Sequence, residues 1–397
     1  MLHHNRPSDD ALAHVRPQIQ DLATDSIAHL AHLASRLGGV TPLWYGEGDM
    51  VTPQFIRDAA KQALDDGLTF YIPDMRGYGP LTEALAAYQT RIHGRDIARD
   101  RSTVTPGGMQ ALALAFELIV DLGSNVVYVE PQWPNIRRAI HIVGGEPRAV
   151  ALDYRKSDWR LDLDKLFAAC DARTRAICFS TPSNPLGWCA SPDEFRALID
   201  FSRERGIWIV SDECYNRLYF EKGGVAPSIL QFAEPEDLVM TINTFSKAWA
   251  MTGWRVGWLT HPLSVAGKLG AMTQFINSGT AGFAQAGAHK AMTEGEHLVE
   301  AIQKRCKQGR DLAYRALAPI EAIELPKKPK GGMYTFFRLK DEPDSAEACR
   351  RILEKARVGL APGHLFGPSS ASFIRMCVCR EPQDLSAALE RMAKAFG

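Results

Sequence analysis

The chain has 397 residues, 46% of them hydrophobic, which is enough to bury a large core in two or three structural units. Its 46 basic and 46 acidic residues are well mixed and sum to a formal charge of zero, which argues against nucleic acid or an anionic membrane as partner. No apolar run approaches a membrane span, the eight cysteines lack Cys-x-x-Cys spacing and no His-Glu-x-x-His pattern occurs, so we expect a soluble, cytoplasmic protein with neither disulfides nor a metal site.

In chain order, residues from about 19 to 36 carry an amphipathic helical pattern and precede Leu43-Trp44-Tyr45-Gly46. From about residue 107 to 259, short β-rich runs alternate with helical periods. The runs 126–129, 176–179, 208–210 and 238–242 read as buried strands, with helices between them at 163–169 and 193–204. Strands alternating with helices predict an α/β fold with a mainly parallel sheet covered on both faces. The last hundred residues hold a long polar helix near 294–317, β-like runs at 333–339 and 373–379, and a terminal helix. They read as a second, α+β unit built from both chain ends. Cys377 and Cys379 lie in its second run, where one strand would point both thiols to a shared, packed face.

In a parallel sheet, ligands bind beyond the carboxyl ends of the strands. The loops at those ends carry the informative residues. Thr105-Pro106-Gly107-Gly108-Met109 precedes an apolar helix, 111–120, and can bring backbone N–H groups to an anion. Trp133 follows the run 126–129 and can stack on a flat ring; alone, it reads as a packing tryptophan. Ser183-Asn184-Pro185-Leu186-Gly187 follows 176–179, and the Asn184 amide can donate to an oxygen. Asp212-Glu213-Cys214-Tyr215 follows 208–210. Its aspartate can pair with a ring nitrogen and its tyrosine can reach a ring oxygen. After 238–242 come Thr244, Ser246, Lys247 and Arg255: an amine between hydroxyls, then a cation in Gly-x-Arg-x-Gly. An amine that forms a Schiff base needs a fixed position, and a phosphate-bearing cofactor needs hydroxyls and a cation nearby.

Taken together, these residues resemble the fold-type I, class I/II aminotransferases along nearly the whole chain, from about residue 27 to 391. Gly46-Glu47-Gly48-Asp49 is similar to the family's entry segment, and Thr69-Phe70-Tyr71 with Gly77 to its tyrosine segment. Asn-Pro-x-Gly matches at Asn184, Asp-Glu-x-Tyr at Asp212, and the Ser-Lys motif at Lys247. Gly331-Gly332-Met333-Tyr334 is similar to its substrate-facing loop, and Phe373-Ile374-Arg375-Met376 to its late arginine motif.

The resemblance implies pyridoxal 5'-phosphate as cofactor, with Lys247 forming the internal aldimine. It implies Asp212 at the pyridinium nitrogen, Tyr215 and Asn184 at the ring oxygen, and Trp133 stacked on the ring. Gly108, Met109, Thr244, Ser246 and Arg255 would bind the phosphate. Tyr71 would reach the phosphate of a partner subunit, so a homodimer with shared active sites is implied. Arg375 would clamp the substrate α-carboxylate, helped by Gly46 and Asn184. The implied architecture is a large domain, 46–290, with a mainly parallel seven-stranded sheet flanked by helices, and a small α+β domain from 1–45 and 291–397.

Two positions depart from the family pattern. Thr244 replaces the usual serine or glycine but keeps a hydroxyl. Gly48 stands where proline is usual, which predicts a looser loop over the substrate. The implied activity is amino transfer from an L-α-amino acid to a 2-oxo acid such as pyruvate, 2-oxoglutarate or oxaloacetate, in two ping-pong half-reactions. Two alternatives share the apparatus: a C–S β-lyase, and a cofactor-sensing regulator, for which the chain offers no DNA-binding segment. Arg76 is a candidate to favour an acidic substrate side chain, and Trp188 has two readings, narrowing the pocket or simply packing.

Overall fold

The computed structural model describes residues 11–20, 22 and 26–396. A seven-stranded sheet is formed by β1 (Ser102–Thr105), β2 (Asn125–Glu130), β3 (Glu146–Ala151), β4 (Thr174–Ser180), β5 (Trp208–Asp212), β6 (Val239–Thr244) and β7 (Gly257–Thr260), in the spatial order β1-β7-β6-β5-β4-β2-β3. Only β7 runs antiparallel to its two neighbours; the other pairs are parallel. The four predicted strands are β2, β4, β5 and β6. Their β-rich runs are apolar on both faces because both faces are covered. Val126 and Tyr128 pack with the helix Gly108–Ile119 on one side, while Val127 and Val129 pack on the other. Each such side chain withdrawn from water contributes on the order of 2 kcal/mol before the cost of ordering it.

The helices between the strands start and stop where their ends have local partners. Pro192–Arg205 opens on a capping box, with Ser191 and Glu194 satisfying each other's backbone N–H groups. It carries proline in its first turn and ends at Gly206 in the left-handed conformation. The N-terminal pattern at 19–36 corresponds to two helices, Pro17–Gln20 and Ser26–Leu37, and its middle falls partly outside the described residues.

A second, antiparallel sheet consists of β8 (Ile323–Glu324), β9 (Tyr334–Leu339), β10 (Ala361–Pro362) and β11 (Ile374–Cys377), in the order β8-β9-β11-β10. The long helix Glu296–Leu317 packs against β9, and the terminal helix Pro382–Phe396 packs against that helix. One apolar cluster runs without a break from Val127 and Ile177 on the large sheet to Phe336, Ile374 and Leu389 in this part. Strand β11 ends at Cys377, so Cys379 does not share its ladder. Val378 donates to Met333 O at the point where the chain leaves the sheet. Both thiols are nevertheless buried, in the packing role expected of them. Among the described residues no helix is long and apolar enough to cross a membrane.

Candidate active site

The strand-end loops of the large sheet converge with β9, β11 and the Tyr45–Gly46 segment on a cavity of about 420 Å³. Its lining includes Gly46, Gly108, Met109, Trp133, Asn184, Asp212, Tyr215, Thr244, Ser246, Lys247, Arg255 and Arg375. Every single-chain site residue expected from the sequence is therefore brought to one place. Tyr71 is not among them. It lies exposed beside Phe70 in a separate cleft of the same chain.

One end of the cavity is built from short bonds within and between neighbouring loops. Gly107 caps the helix Gly108–Ile119 with φ +86°, and a Cβ on it would run into the Arg255 guanidinium. Gly257 on β7 approaches the Gly107–Gly108 backbone so closely that a Cβ there would meet it at 2.7 Å. Arg255 itself sits in the left-handed region, φ +54°, and donates to Thr252 O at 2.7 Å. Thr244 Oγ1 donates to Ser246 Oγ at 2.9 Å and accepts from the Ser246 N–H at 3.1 Å. The threonine that departs from the family pattern thus sits hydroxyl to hydroxyl with the serine. Helix N-terminus, two hydroxyls and a cation make a donor set suited to a phosphate.

Asp212 ends β5. Its Oδ2 accepts from Ser180 Oγ at 2.9 Å and its Oδ1 from the Cys214 N–H at 3.1 Å, so the carboxylate is held in one orientation. Next to it Glu213 points away and is fully buried; burial raises its pKa to about 7 although Ser211 Oγ and the Ile229 N–H donate to it. Lys247 Nζ donates to Gly46 O at 2.5 Å, and burial holds its pKa below the ordinary lysine value. A lower pKa leaves more of the amine unprotonated near neutral pH, and only the free amine acts as nucleophile or base.

Arg375 is buried on β11. It donates to Asn184 Oδ1 at 2.8 Å and to Trp44 O at 2.5 Å, while its Nε has no partner among the described residues. Its guanidinium lies over the rings of Tyr334 (4.5 Å to the centroid) and Phe366 (4.7 Å). A buried guanidinium on a cavity-lining residue suits a carboxylate. Because Asn184 Oδ1 is taken by Arg375, the Asn184 amide group remains as a donor. Tyr215 Oη and Tyr334 Oη, 2.7 Å apart, share a hydrogen bond, and burial together with that neighbour raises the Tyr215 phenol's pKa.

Several lining residues have no signature in the sequence: Ile27, Tyr45, Asn135, Cys214, Leu365 and Phe366. Tyr334 was legible only as part of its Gly-Gly loop. One expectation changes and one open reading resolves. Arg76 does not face the cavity; it pairs with Asp74 and Asp100 in another cleft. Trp188 packs against the large apolar cluster and does not line the cavity. Beside Gly48 lies Cys379, whose Sγ would stand 3.1 Å from a Cβ added to the glycine, and the neighbouring Asp49 binds Arg305 and the Glu381 N–H. Among the described residues, no group of three His, Cys, Asp or Glu side chains gathers as a metal site requires.

The chain is similar to known proteins along nearly its full length. The family model for aminotransferase class I and II matches residues 42–392. An aspartate aminotransferase of Pyrococcus horikoshii is 30% identical over 373 residues, covering 93% of this chain and 94% of the relative. An aromatic-amino-acid aminotransferase 2 of Thermococcus litoralis is 31% identical over 376 residues, covering 93% and 95%. The crystal structure of an aspartate aminotransferase from Thermotoga maritima superposes with a TM-score of 0.88 at 28% identity, covering 96% of this chain and 99% of that one. With the amine and the carboxylate after strands of the large sheet, and the guanidinium brought to the same cavity from β11 of the second, the chain belongs to the class I and II aminotransferases.

Proposed function

We propose that this aminotransferase moves the amino group of an L-α-amino acid to a 2-oxo acid in two half-reactions at one site, with pyridoxal 5'-phosphate as its cofactor. The observation that carries this reading is the gathering of Lys247, Asp212 and Arg375 around one cavity. When bound, the cofactor supplies an aldehyde to take up the amino group and a protonated ring to withdraw electrons.

The chain's own residues supply the rest. The Gly107–Gly108 backbone, Thr244, Ser246 and Arg255 hold the phosphate. Asp212, fixed by Ser180 and the Cys214 N–H, would accept a hydrogen bond from the ring nitrogen's N–H and keep that nitrogen protonated. Trp133 covers one ring face, and Tyr215 and the Asn184 amide serve the ring oxygen. Arg375 binds the substrate α-carboxylate in a fork and so fixes where Cα stands. Lys247 Nζ, its pKa lowered by burial, would take the Cα proton as the free amine.

The exposed pair Phe70 and Tyr71 supports a homodimer in which this segment completes a neighbour's site. Residues 46–290 form the cofactor-carrying domain in this reading, and 1–45 with 291–397 the smaller one. Eight free thiols support the reducing cytoplasm as its compartment.

Lys247→Ala is the decisive test. Turnover of amino donor and 2-oxo acid should fall by more than about 10⁴-fold, and the lysine-linked absorbance of bound cofactor should vanish. Transamination by the variant at near the parent rate would refute the assignment, and pyruvate released from cystathionine in place of amino transfer would favour a lyase.

A further inference from the structure

We infer that the donor's side chain is uncharged and largely apolar, an aromatic or large aliphatic amino acid, and that Leu365, Phe366 and Ile27 form the surface that selects it. The inference rests on the amino-transfer reading above. Among the described residues lining the cavity, four carry charge: Asp212, Lys247, Arg255 and Arg375. Each has a task common to every substrate. Arg255 stands at the phosphate cradle, Asp212 is oriented by Ser180, Lys247 is the amine, and Arg375 is committed to the α-carboxylate.

What is left of the lining is neutral. Ile27, Leu365, Phe366, Met109 and Tyr45 offer apolar surface, with Asn135 the main polar exception. Asn135 Nδ2 points at Met109 Sδ, 3.9 Å away. A second carboxylate, or a distal ammonium or guanidinium, would enter this lining without a counter-charge, and desolvating an unpaired ion is strongly unfavourable.

A neighbouring subunit does not change the balance if it contributes the Tyr71 segment. Next to Tyr71 that segment exposes Phe70. Its nearest cations are already engaged: Arg76 with Asp74 and Asp100, and Arg99 with Glu83 and Thr82.

The test uses the holoenzyme. Single half-reactions are followed by cofactor absorbance with phenylalanine, leucine and methionine against aspartate, glutamate, arginine and lysine. Equilibrium binding of 3-phenylpropionate is compared with that of succinate by calorimetry. The neutral donors should react at least roughly 100-fold faster per unit concentration than the charged ones, and 3-phenylpropionate should bind at least about tenfold tighter than succinate. Leu365→Arg should then raise the aspartate-to-phenylalanine rate ratio by about tenfold or more. Aspartate or another charged donor reacting as fast as the neutral ones would overturn this specificity and leave amino transfer standing. A cofactor spectrum that no donor changes would overturn both.

Discussion

Asp212, Lys247, Thr244 and Ser246 sit at the ends of β5 and β6, and each is tied by a hydrogen bond to a neighbouring group; Ile27, Leu365 and Phe366 reach the same cavity from a helix near the chain start and from a short turn near its end. The first group is polar, interlocked and carried on the sheet. The second is apolar and contributed one or two residues at a time. Chemistry that needs fixed angles is placed on the rigid framework, while the apolar lining comes from a helix and a turn outside the large sheet.

That contrast predicts separable defects. The largest is expected at Arg375. Arg375→Lys removes the planar fork and both bonds to Asn184 and Trp44, so kcat/KM should fall by about 10²- to 10³-fold while cofactor affinity stays within about threefold. Steady-state kinetics beside a cofactor titration checks this; an equal loss in both would mean that the two ends of the cavity are one unit.

A smaller effect of the opposite kind is expected at the phosphate cradle. Gly107→Ala places a methyl group against Arg255 at a backbone angle, φ +86°, that L residues rarely adopt. Half-saturation by cofactor should rise by roughly 10- to 100-fold, with donor preference unchanged. A changed ratio of donors in this variant would contradict the division.

The smallest concerns stability. Glu213 is buried behind Asp212 with its pKa raised to about 7, above the 4.5 of a free glutamate. The folded state therefore binds a proton that the unfolded state has released between those values. The contribution is complete below about pH 4.5 and is lost as pH rises through 7, a difference of up to about 3 kcal/mol. Glu213→Gln cannot ionise, so its Tm relative to the parent should climb by a few degrees between pH 5 and 8, measured by calorimetry. A difference that stays flat with pH would show that Glu213 is already ionised in the fold.

The cofactor part was readable because its signals are local. A run such as Thr174–Ser180 is apolar on both faces, and the chain leaves it through proline, glycine and asparagine, which mark the turn. The edge strands were harder. In Glu146–Ala151 only Val150 is buried, so neither a continuous apolar run nor a clean alternation forms. The specificity surface left no trace, since a lone Ile27 or Leu365 looks like any other apolar residue of its helix or turn. The Tyr215–Tyr334 bond joins residues 119 apart, a distance that no local pattern spans. Arg76 misled because it is near the tyrosine segment in sequence, while its partners Asp74 and Asp100 hold it elsewhere.

Phe366 belongs to both halves of this arrangement. Its ring lies against the Arg375 guanidinium at 4.7 Å, and its carbonyl accepts from the Gln132 N–H, one residue before Trp133. A mutation there disturbs the setting of Arg375 and of the loop that carries Trp133 as well as the cavity wall. Mutational routes to a different donor therefore run more freely through Leu365 and Ile27, and Phe366 should be the last of the three to drift among descendants of this enzyme.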